Sequence, residues 1–428
     1  MSLLFGLSQV VATVPRPSTT NMESTPVEVT NLRALGSYNW IEEEVPTIAI
    51  PGRPAVWRDQ TVPIHLREEL GTPFFDENIA RKCGFPLQPD LLAIEVCQAA
   101  DPDFDLANEK IDIVTNRNNL RKLLSFANQG NRGRERYLDN FRIDVQLALN
   151  GRTMILTRYE APRPGTNTPG RQQNHGSQRN NGPPRNNQSG FIGYDHIFER
   201  MCTQVLPIIN AVDSSGGDVS LRPVGYHRIV RYDLLGLRFL VRSRVDAMSN
   251  GLSRSQPELF SQSEVDDLVQ ALQNTRLESE LVEESPPQLQ GEESGLQYVN
   301  FGEQVPQDLL MDIKLAPNGN VKWENVYPQF FLSQTPKLKV AARTAAAGSK
   351  YVTRLTTYDQ NLLQAEHVRQ AQRFRNLVAV LNHMREIIQA HGSHSRPLAF
   401  VWTQPGDMMV YNIEQRGEYL SNEGLDRF

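Results

Sequence analysis

The sequence predicts an α/β (α+β) fold, in which strands form a sheet and helices flank it. Three observations lead to this prediction. Two strand-like segments are joined by Asn150-Gly151, a dipeptide typical of tight hairpin turns. A second pair of strand-like segments surrounds residues 233–236. Apolar residues recur at helical spacing over residues 361–390, which predicts one long helix.

The other elements follow from the same two patterns, taken in chain order. Alternating or continuous apolar residues predict strands at 110–114, 141–149, 153–159, 227–232, 237–245, 309–315, 337–342, 399–402 and 408–413. Helical spacing predicts a shorter helix at 193–207. In the long helix we expect Leu362, Ala365, Val368 and Phe374 to face the core.

Composition limits the compartment and the partners. The net charge of −5 gives no overall attraction to nucleic acid, although a local basic groove is compatible with it. Cys83, Cys97 and Cys202 lie far apart and lack metal-ligand spacing, which favours a reducing intracellular compartment, nuclear or cytoplasmic. No basic leader precedes the apolar start, and no run reaches the roughly 18 apolar residues of a membrane helix, so we expect no signal peptide and no membrane partner.

The chain is expected to form one domain with two low-complexity insertions. Residues 1–30 are rich in Ser, Thr and Pro, so we expect them to be disordered and residues 31–428 to hold the domain. The insertion at 161–190 is rich in Gly, Pro, Asn and Arg, and it is either an RNA-contacting arm or a solvated loop. The insertion at 253–300 is acidic and is expected to be partly helical at 264–281; it shields a basic groove, binds a basic partner or forms a solvated face.

Two segments carry the residue types of a metal-dependent nuclease. Asp312 and Lys314 would point to the same face of their strand, into a space that Asp246 could share. Carboxylates of this kind hold a divalent cation, and an ammonium group orients water or neutralises developing charge. Arg244 argues the other way, because it shares a face with Asp246 and brings a cation where a metal site would profit from an acid.

Five segments resemble, in type and order, the motifs of the DXO-type family of RNA 5′-end decapping nucleases, in a divergent fungal-type branch. They are residues 114–124 with Arg117 at a strand-to-helix junction, 191–199 with Glu199, 244–246, 312–314, and 329–338 with Gln329. Separately, the S-Y-N-W segment at 37–40 resembles the opening of a group of fungal proteins. The resemblance implies a PD-(D/E)xK nuclease-like fold with a mixed central sheet. It also implies metal-dependent hydrolysis at RNA 5′ ends, of the pyrophosphohydrolase, decapping or 5′–3′ exonuclease type, and a partner exoribonuclease.

The resemblance also implies a role for each matching residue. Glu199, Asp246 and Asp312 would be ligands of one or two Mg or Mn ions. Lys314, Gln329 and Asp312 would be catalytic, and Arg117 would contact the 5′ phosphate of the RNA. The sequence departs from the family pattern most clearly at Arg244, where the family has glutamate, so we expect weakened or altered activity.

Simpler interpretations stay open for the same residues. Arg117 would begin a solvated helix, Glu199 would be an ordinary helical acid, Asp246 would cap a turn, and Asp312 with Lys314 would form a surface pair on an edge strand. The alternative function is a catalytically inactive protein of the same fold, in which Arg244 pairs with an acid and the pocket binds an RNA end or a protein.

Other enzyme classes lack their motifs. The sequence contains no G-x-S-x-G elbow and no G-x-x-x-x-G-K-[ST] phosphate loop. A single Asp266-Asp267 pair argues against a prenyl diphosphate synthase, and no H-x-x-x-H pair supports zinc.

Overall fold

The structure is a computed structural model that describes residues 3–17, 25–67, 85–128, 140–159, 194–250, 286–292, 295–344, 350–414 and 422–428. Within these ranges the larger sheet has twelve strands. Across the sheet they are β1 (Leu7–Val14), β19 (Met408–Ile413), β18 (Leu398–Trp402), β6 (Phe141–Leu147), β7 (Met154–Arg158), β5 (Ile113–Asn116), β11 (Leu237–Val245), β10 (Pro223–Leu234), β2 (Val29–Ile41), β3 (Thr47–Gly52), β14 (Gln297–Gly302) and β13 (Leu289–Gly291).

The larger sheet is mixed. Strand β5 runs parallel to both of its neighbours, β7 and β11, and β14 runs parallel to β3. The other neighbouring strands are antiparallel, including the predicted hairpin of β6 and β7 and the predicted pair of β10 and β11. The prediction of a mixed sheet is therefore confirmed.

Five further strands form a second sheet. Its strands, in order across the sheet, are β12 (Ala247–Met248), β15 (Leu310–Pro317), β16 (Lys337–Arg343), β17 (Tyr351–Tyr358) and β4 (Ile64–His65). A separate hairpin is formed by β8 (Ile209–Val212) and β9 (Asp218–Leu221). Only Asp246 separates β11 of the first sheet from β12 of the second, so this residue lies where the chain passes between the two sheets.

Helices cover both faces of the larger sheet. They are α1 (Gln88–Gln98), α2 (Arg117–Asn128), α3 (Tyr194–Cys202), α4 (Trp323–Ser333), α5 (Gln364–His391) and α6 (Asn422–Asp426), with short 3₁₀ turns at Leu106–Glu109 and Gln307–Leu309. Helices α2, α4 and α5 share one core, α1 lies in another, and α3 packs with β15. None of the described helices combines the length and the apolar character that crossing a membrane requires.

Strand β11 shows why the sheet is covered on both faces. Phe239 and Val241 belong to the core with α2, α4 and α5, whereas Leu240 between them belongs to the core with α1. Successive side chains of a strand point to opposite faces, so a strand buried on both faces reads as a continuous apolar run. The sequence at 239–241 has this property.

The predicted apolar face of the long helix is wrong in its first turns. Leu362, just before α5, and Val368 within it are both 67% exposed. The buried positions there are polar, since Gln370 is 1% exposed and donates a hydrogen bond to the carbonyl of Trp323 at 2.9 Å. Farther along, Phe374 is fully buried as predicted.

The expectation that residues 1–30 are disordered is wrong for Leu7–Val14. This segment is β1, an edge strand that pairs antiparallel with β19. Arg142 is 2% exposed and donates hydrogen bonds from Nη1 to the carbonyls of Leu3 and Phe5, at 3.3 and 2.7 Å. The N-terminal segment is therefore tied down by backbone pairing and by a buried arginine.

The two predicted insertions lie mostly outside the described residues. This applies to all of 161–190 and to the helix expected at 264–281. The predicted boundary at residue 300 is wrong, because β13 and the first part of β14 already belong to the larger sheet. Val299 of β14 is fully buried, which explains why this end of the segment is ordered structure.

Candidate functional site

The first part of the site lies where the parallel strands β5 and β11 end. Arg117 follows β5 directly and is the first residue of α2, so it lies at the strand-to-helix junction that the sequence predicted. Asn116 at the end of β5 is level with Arg242 of β11, and Arg244 therefore lies just beyond this level. Ligand sites of α/β sheets commonly form beyond the carboxyl ends of such strands.

The second sheet brings two aspartates together. Ala247 of β12 pairs with Met311 of β15 in an antiparallel ladder, so Asp246 comes level with Asp312. Oδ2 of Asp246 accepts a hydrogen bond from the backbone N–H of Ile313 at 2.8 Å. The proximity of Asp246 to this strand is confirmed, while the metal-binding and catalytic roles stay predictions.

Asp312 is held by Arg117. Nη1 of Arg117 donates a hydrogen bond to Oδ2 of Asp312 at 2.9 Å. Asp312 is 2% exposed on a strand with neighbours on both sides, so its interpretation as a surface residue of an edge strand is wrong. Oδ1 of the same carboxylate is buried and has no hydrogen-bond partner in the part of the chain that the structure describes.

Arg244 joins two other acids. Its Nη2 pairs with Oε1 of Glu199 from α3, and its Nη1 lies 3.7 Å from Oδ1 of Asp246. The Glu199 and Asp246 side chains are only 18% and 11% exposed. Glu199 is therefore a half-buried partner of an arginine rather than an ordinary exposed helical acid.

The two aspartates have opposite pKa shifts. Burial raises the pKa of Asp312 to about 6; Arg117 opposes this shift and Asp246 adds to it. Burial acts in the same direction on Asp246, but the charges of Arg244, Lys314 and Arg117 and a backbone hydrogen bond together outweigh it and bring the pKa of Asp246 below its usual value. The arginines therefore favour the ionised form of Asp246.

Lys314 lies close enough to the two aspartates to act on their pKa values. Lys314 follows Asp312 by two residues on β15, is half-buried, and acts on both aspartates through its charge. It forms no direct ion pair with the described residues.

The amide of Gln329 donates to the carbonyl of Asn325 one turn earlier in α4, at 3.1 Å. No described hydrogen bond joins Gln329 to the acids, and its catalytic role stays a prediction.

The residues present do not fit the metal that the resemblance implies. Among the described residues, no group of three His, Cys, Asp or Glu side chains is arranged to hold a metal ion. Each of the three acids is instead paired with a guanidinium group, Glu199 and Asp246 with that of Arg244 and Asp312 with that of Arg117.

The sequence did not single out the residues that lie beside Arg244 across the sheet. His227 of β10 pairs in register with Arg244 and with Tyr38 of β2, and its ring stacks on that of Tyr38 at 5.1 Å. The Tyr38 hydroxyl donates to buried Asp90 at 3.1 Å and accepts from Arg242 at 3.0 Å. Tyr38 belongs to the S-Y-N-W segment, which is the sequence signal that could have marked this network.

A family model described as "Domain of unknown function (DUF8563)" matches residues 8–400, which is most of the chain. The chain belongs to this family. No curated protein matches this DUF8563 member. Solved structures do resemble it, at low sequence identity.

Two of these structures are Rai1 proteins of yeasts. Rai1 of Candida albicans in complex with pU5-Mn²⁺ is 10% identical, with 96% of this chain and 95% of that chain covered and a TM-score of 0.50. Rai1 of Scheffersomyces stipitis in complex with (3′-NADP)⁺ and calcium ion is 11% identical, with 93% of each chain covered and a TM-score of 0.50. These likenesses confirm the predicted fold of a mixed sheet flanked by helices.

Proposed function

We propose that this DUF8563 protein binds the phosphorylated 5′ end of RNA at the site of Arg117, Arg244 and Lys314, without metal-dependent hydrolysis. One observation carries the proposal. Arg117 and Arg244 lie where β5 and β11 end, and the charge of Lys314 on β15 acts on the same aspartates. The acids that would hold a metal are paired with the two arginines.

The chemistry of these cations suits a phosphate. A guanidinium group has five N–H donors, so Arg117 keeps donors after its hydrogen bond to Asp312. The Lys314 ammonium has no direct ion pair with the described residues and can bind an anion without breaking one. Rai1 of Candida albicans, which shares the fold, is described as a complex with pU5-Mn²⁺.

The balance of charge predicts selectivity for the end of the RNA. Three cations and three carboxylates leave the site close to neutral, so its attraction to the phosphate backbone is weak. Binding must come from directed hydrogen bonds to a terminal phosphate. We therefore expect discrimination between a 5′ phosphate and a 5′ hydroxyl.

The binding assay compares 5′-monophosphate, 5′-triphosphate and 5′-hydroxyl RNA of one sequence by fluorescence anisotropy in EDTA. We expect tighter binding of the phosphorylated ends and a loss of about tenfold or more in Lys314→Gln and Arg117→Gln, because each removes a charged hydrogen bond. Arg152→Gln is the matched control. Arg152 pairs with Asp112, which precedes β5, so this arginine lies at the opposite end of that strand from Arg117. Equal affinity for all three RNAs would exclude the proposal.

Metal-dependent hydrolysis at RNA 5′ ends is the second function, and one observation favours it. Oδ1 of Asp312 is buried without a hydrogen-bond partner among the described residues, which is an arrangement that a bound cation would satisfy. The same RNAs with Mn²⁺ or Mg²⁺ test this function. Product from the wild type that disappears in Asp246→Asn would favour hydrolysis over binding alone. The partner exoribonuclease stays a prediction of the resemblance.

A further inference from the structure

We infer that the guanidinium group of Arg244 takes the place of a divalent cation between Glu199 and Asp246, and that replacing Arg244 creates a metal site there. The inference goes beyond the proposed RNA binding and does not depend on it.

The arrangement around Arg244 is that of a bridging cation. Glu199 comes from α3, and Asp246 comes from the connection between the two sheets. One guanidinium group reaches both carboxylates, through Nη2 and Nη1. A divalent cation bound by carboxylates from separate elements makes the same connection.

Burial makes the ion pairs of Arg244 with Glu199 and Asp246 costly to break. The side chains of Glu199 and Asp246 are 18% and 11% exposed, so each would lose the charge of its guanidinium partner if Arg244 turned away. A metal ion that approached with Arg244 in place would meet a like charge at close range. Metal and arginine therefore exclude each other at this position.

The third acid does not offer a separate metal site. Asp312 is hydrogen-bonded to Arg117, and the pKa of its carboxyl group is raised to about 6, primarily by burial. Its remaining oxygen, Oδ1, is a single ligand atom. A carboxylate at position 244 would lie beside Glu199 and Asp246, since the Arg244 side chain contacts both.

The test is a titration with Mn²⁺, followed by the loss of the free-ion signal in electron paramagnetic resonance and by calorimetry, without RNA. We expect no saturable Mn²⁺ binding by the wild-type chain at this site. Arg244→Glu should gain Mn²⁺ affinity by about tenfold or more, because it removes a cation and adds a ligand. Arg244→Gln should show a smaller gain in the same direction.

Matched variants locate the effect. Arg222→Glu makes the same charge change at an exposed arginine 3.3 Å from Glu42, and it should leave Mn²⁺ binding at the wild-type level. The double variant Arg244→Glu/Asp246→Asn should lose most of the gain, because one ligand is removed. Circular dichroism of each variant verifies folding.

Two results would overturn the inference. One is saturable Mn²⁺ binding by the wild type that Asp246→Asn removes. The other is no gain in either folded variant at position 244. Neither result bears on RNA binding in EDTA, so a failure of this inference and a failure of the proposed function are distinguishable.

Discussion

At the scale of single residues, Asp246 and Asp312 show how one site can shift two like groups in opposite directions. Both are largely buried and both are near Lys314, yet Asp246 lies at 3.7 Å from Arg244 and accepts a backbone hydrogen bond. Asp312 has one arginine contact and one oxygen without a described partner. Burial raises the pKa of both carboxyl groups; the cations around Asp246 outweigh this effect, whereas at Asp312 the charge of Asp246 adds to it.

The raised pKa of Asp312 predicts a pH dependence of stability. The pKa of its carboxyl group is about 6 in the folded chain, against 3.8 for an ordinary aspartate. Between these pH values the folded state therefore binds more protons than the unfolded state. Stability should therefore fall as the pH rises from about 4 to 6, by at most about 3 kcal/mol from this group. The measurement is urea unfolding of wild type and Asp312→Asn at a series of pH values.

The difference in the free energy of unfolding between wild type and Asp312→Asn isolates the contribution of this residue. The free energy of unfolding of the wild type relative to Asp312→Asn should decrease across that window and stay constant above pH 7. Asp246, whose pKa is lowered, contributes in the opposite sense and only at lower pH, where its stabilisation is lost as the pH falls. A relative stability that rises from pH 4 to 6 would contradict the assignment.

At the scale of elements, α5 shows where an apolar pattern and a core face differ. The helix packs Phe374 against Phe331 of α4, with ring centroids 4.4 Å apart. Six residues earlier, Val368 points outward, while the hydroxyl of Tyr327 and Nδ1 of His367 are hydrogen-bonded at 2.8 Å. The position of α4 decides which side of α5 is covered.

Two substitutions on α5 measure this difference. Phe374→Ala removes a fully buried ring and should lower the free energy of unfolding by about 3 to 5 kcal/mol. Val368→Ala is the matched control on the same helix; its side chain is 67% exposed, and it should change stability by no more than about 0.5 kcal/mol. Chemical denaturation of both variants measures the loss of stability. Similar losses would mean that α5 faces the core with a different side from the one that bears Phe374.

At the scale of the whole molecule, the site joins two sheets. Arg244 lies on β11 of the larger sheet and Arg117 directly follows its strand β5. Asp312 and Lys314 lie on β15 of the second sheet. Asp246 connects them, since it follows β11 and accepts a hydrogen bond from β15. A ligand held by cations of both sheets would therefore stabilise the junction between them.

This arrangement predicts stabilisation by the proposed ligand. In EDTA, 5′-monophosphate RNA at about one hundred times its Kd should add about 2.7 kcal/mol to the free energy of unfolding. The melting temperature should rise accordingly, as followed by differential scanning fluorimetry. RNA with a 5′ hydroxyl is the control and should have a smaller effect. Equal shifts with both RNAs would count against recognition of the terminal phosphate.

Much of the local structure was predictable. The hairpin of β6 and β7 and the pair of β10 and β11 lie close to their predicted positions because turn residues and alternating apolar residues act over a few positions. Arg117 was correctly placed at a strand-to-helix junction. The edge strand β1 was missed, because its order depends on pairing with β19, almost four hundred residues later in the chain.

The sequence by itself determined the fold class, the strand that carries Asp312 and Lys314, and the departure at Arg244, because these follow from local spacing and residue type. Only the tertiary structure decided the partners of each charge. The parallel alignment of β5 with β11, and the passage of the chain into the second sheet at Asp246, place Arg117 on Asp312 and Arg244 between two acids. Such ion pairs join residues up to 195 positions apart, and no local pattern encodes a contact over that separation.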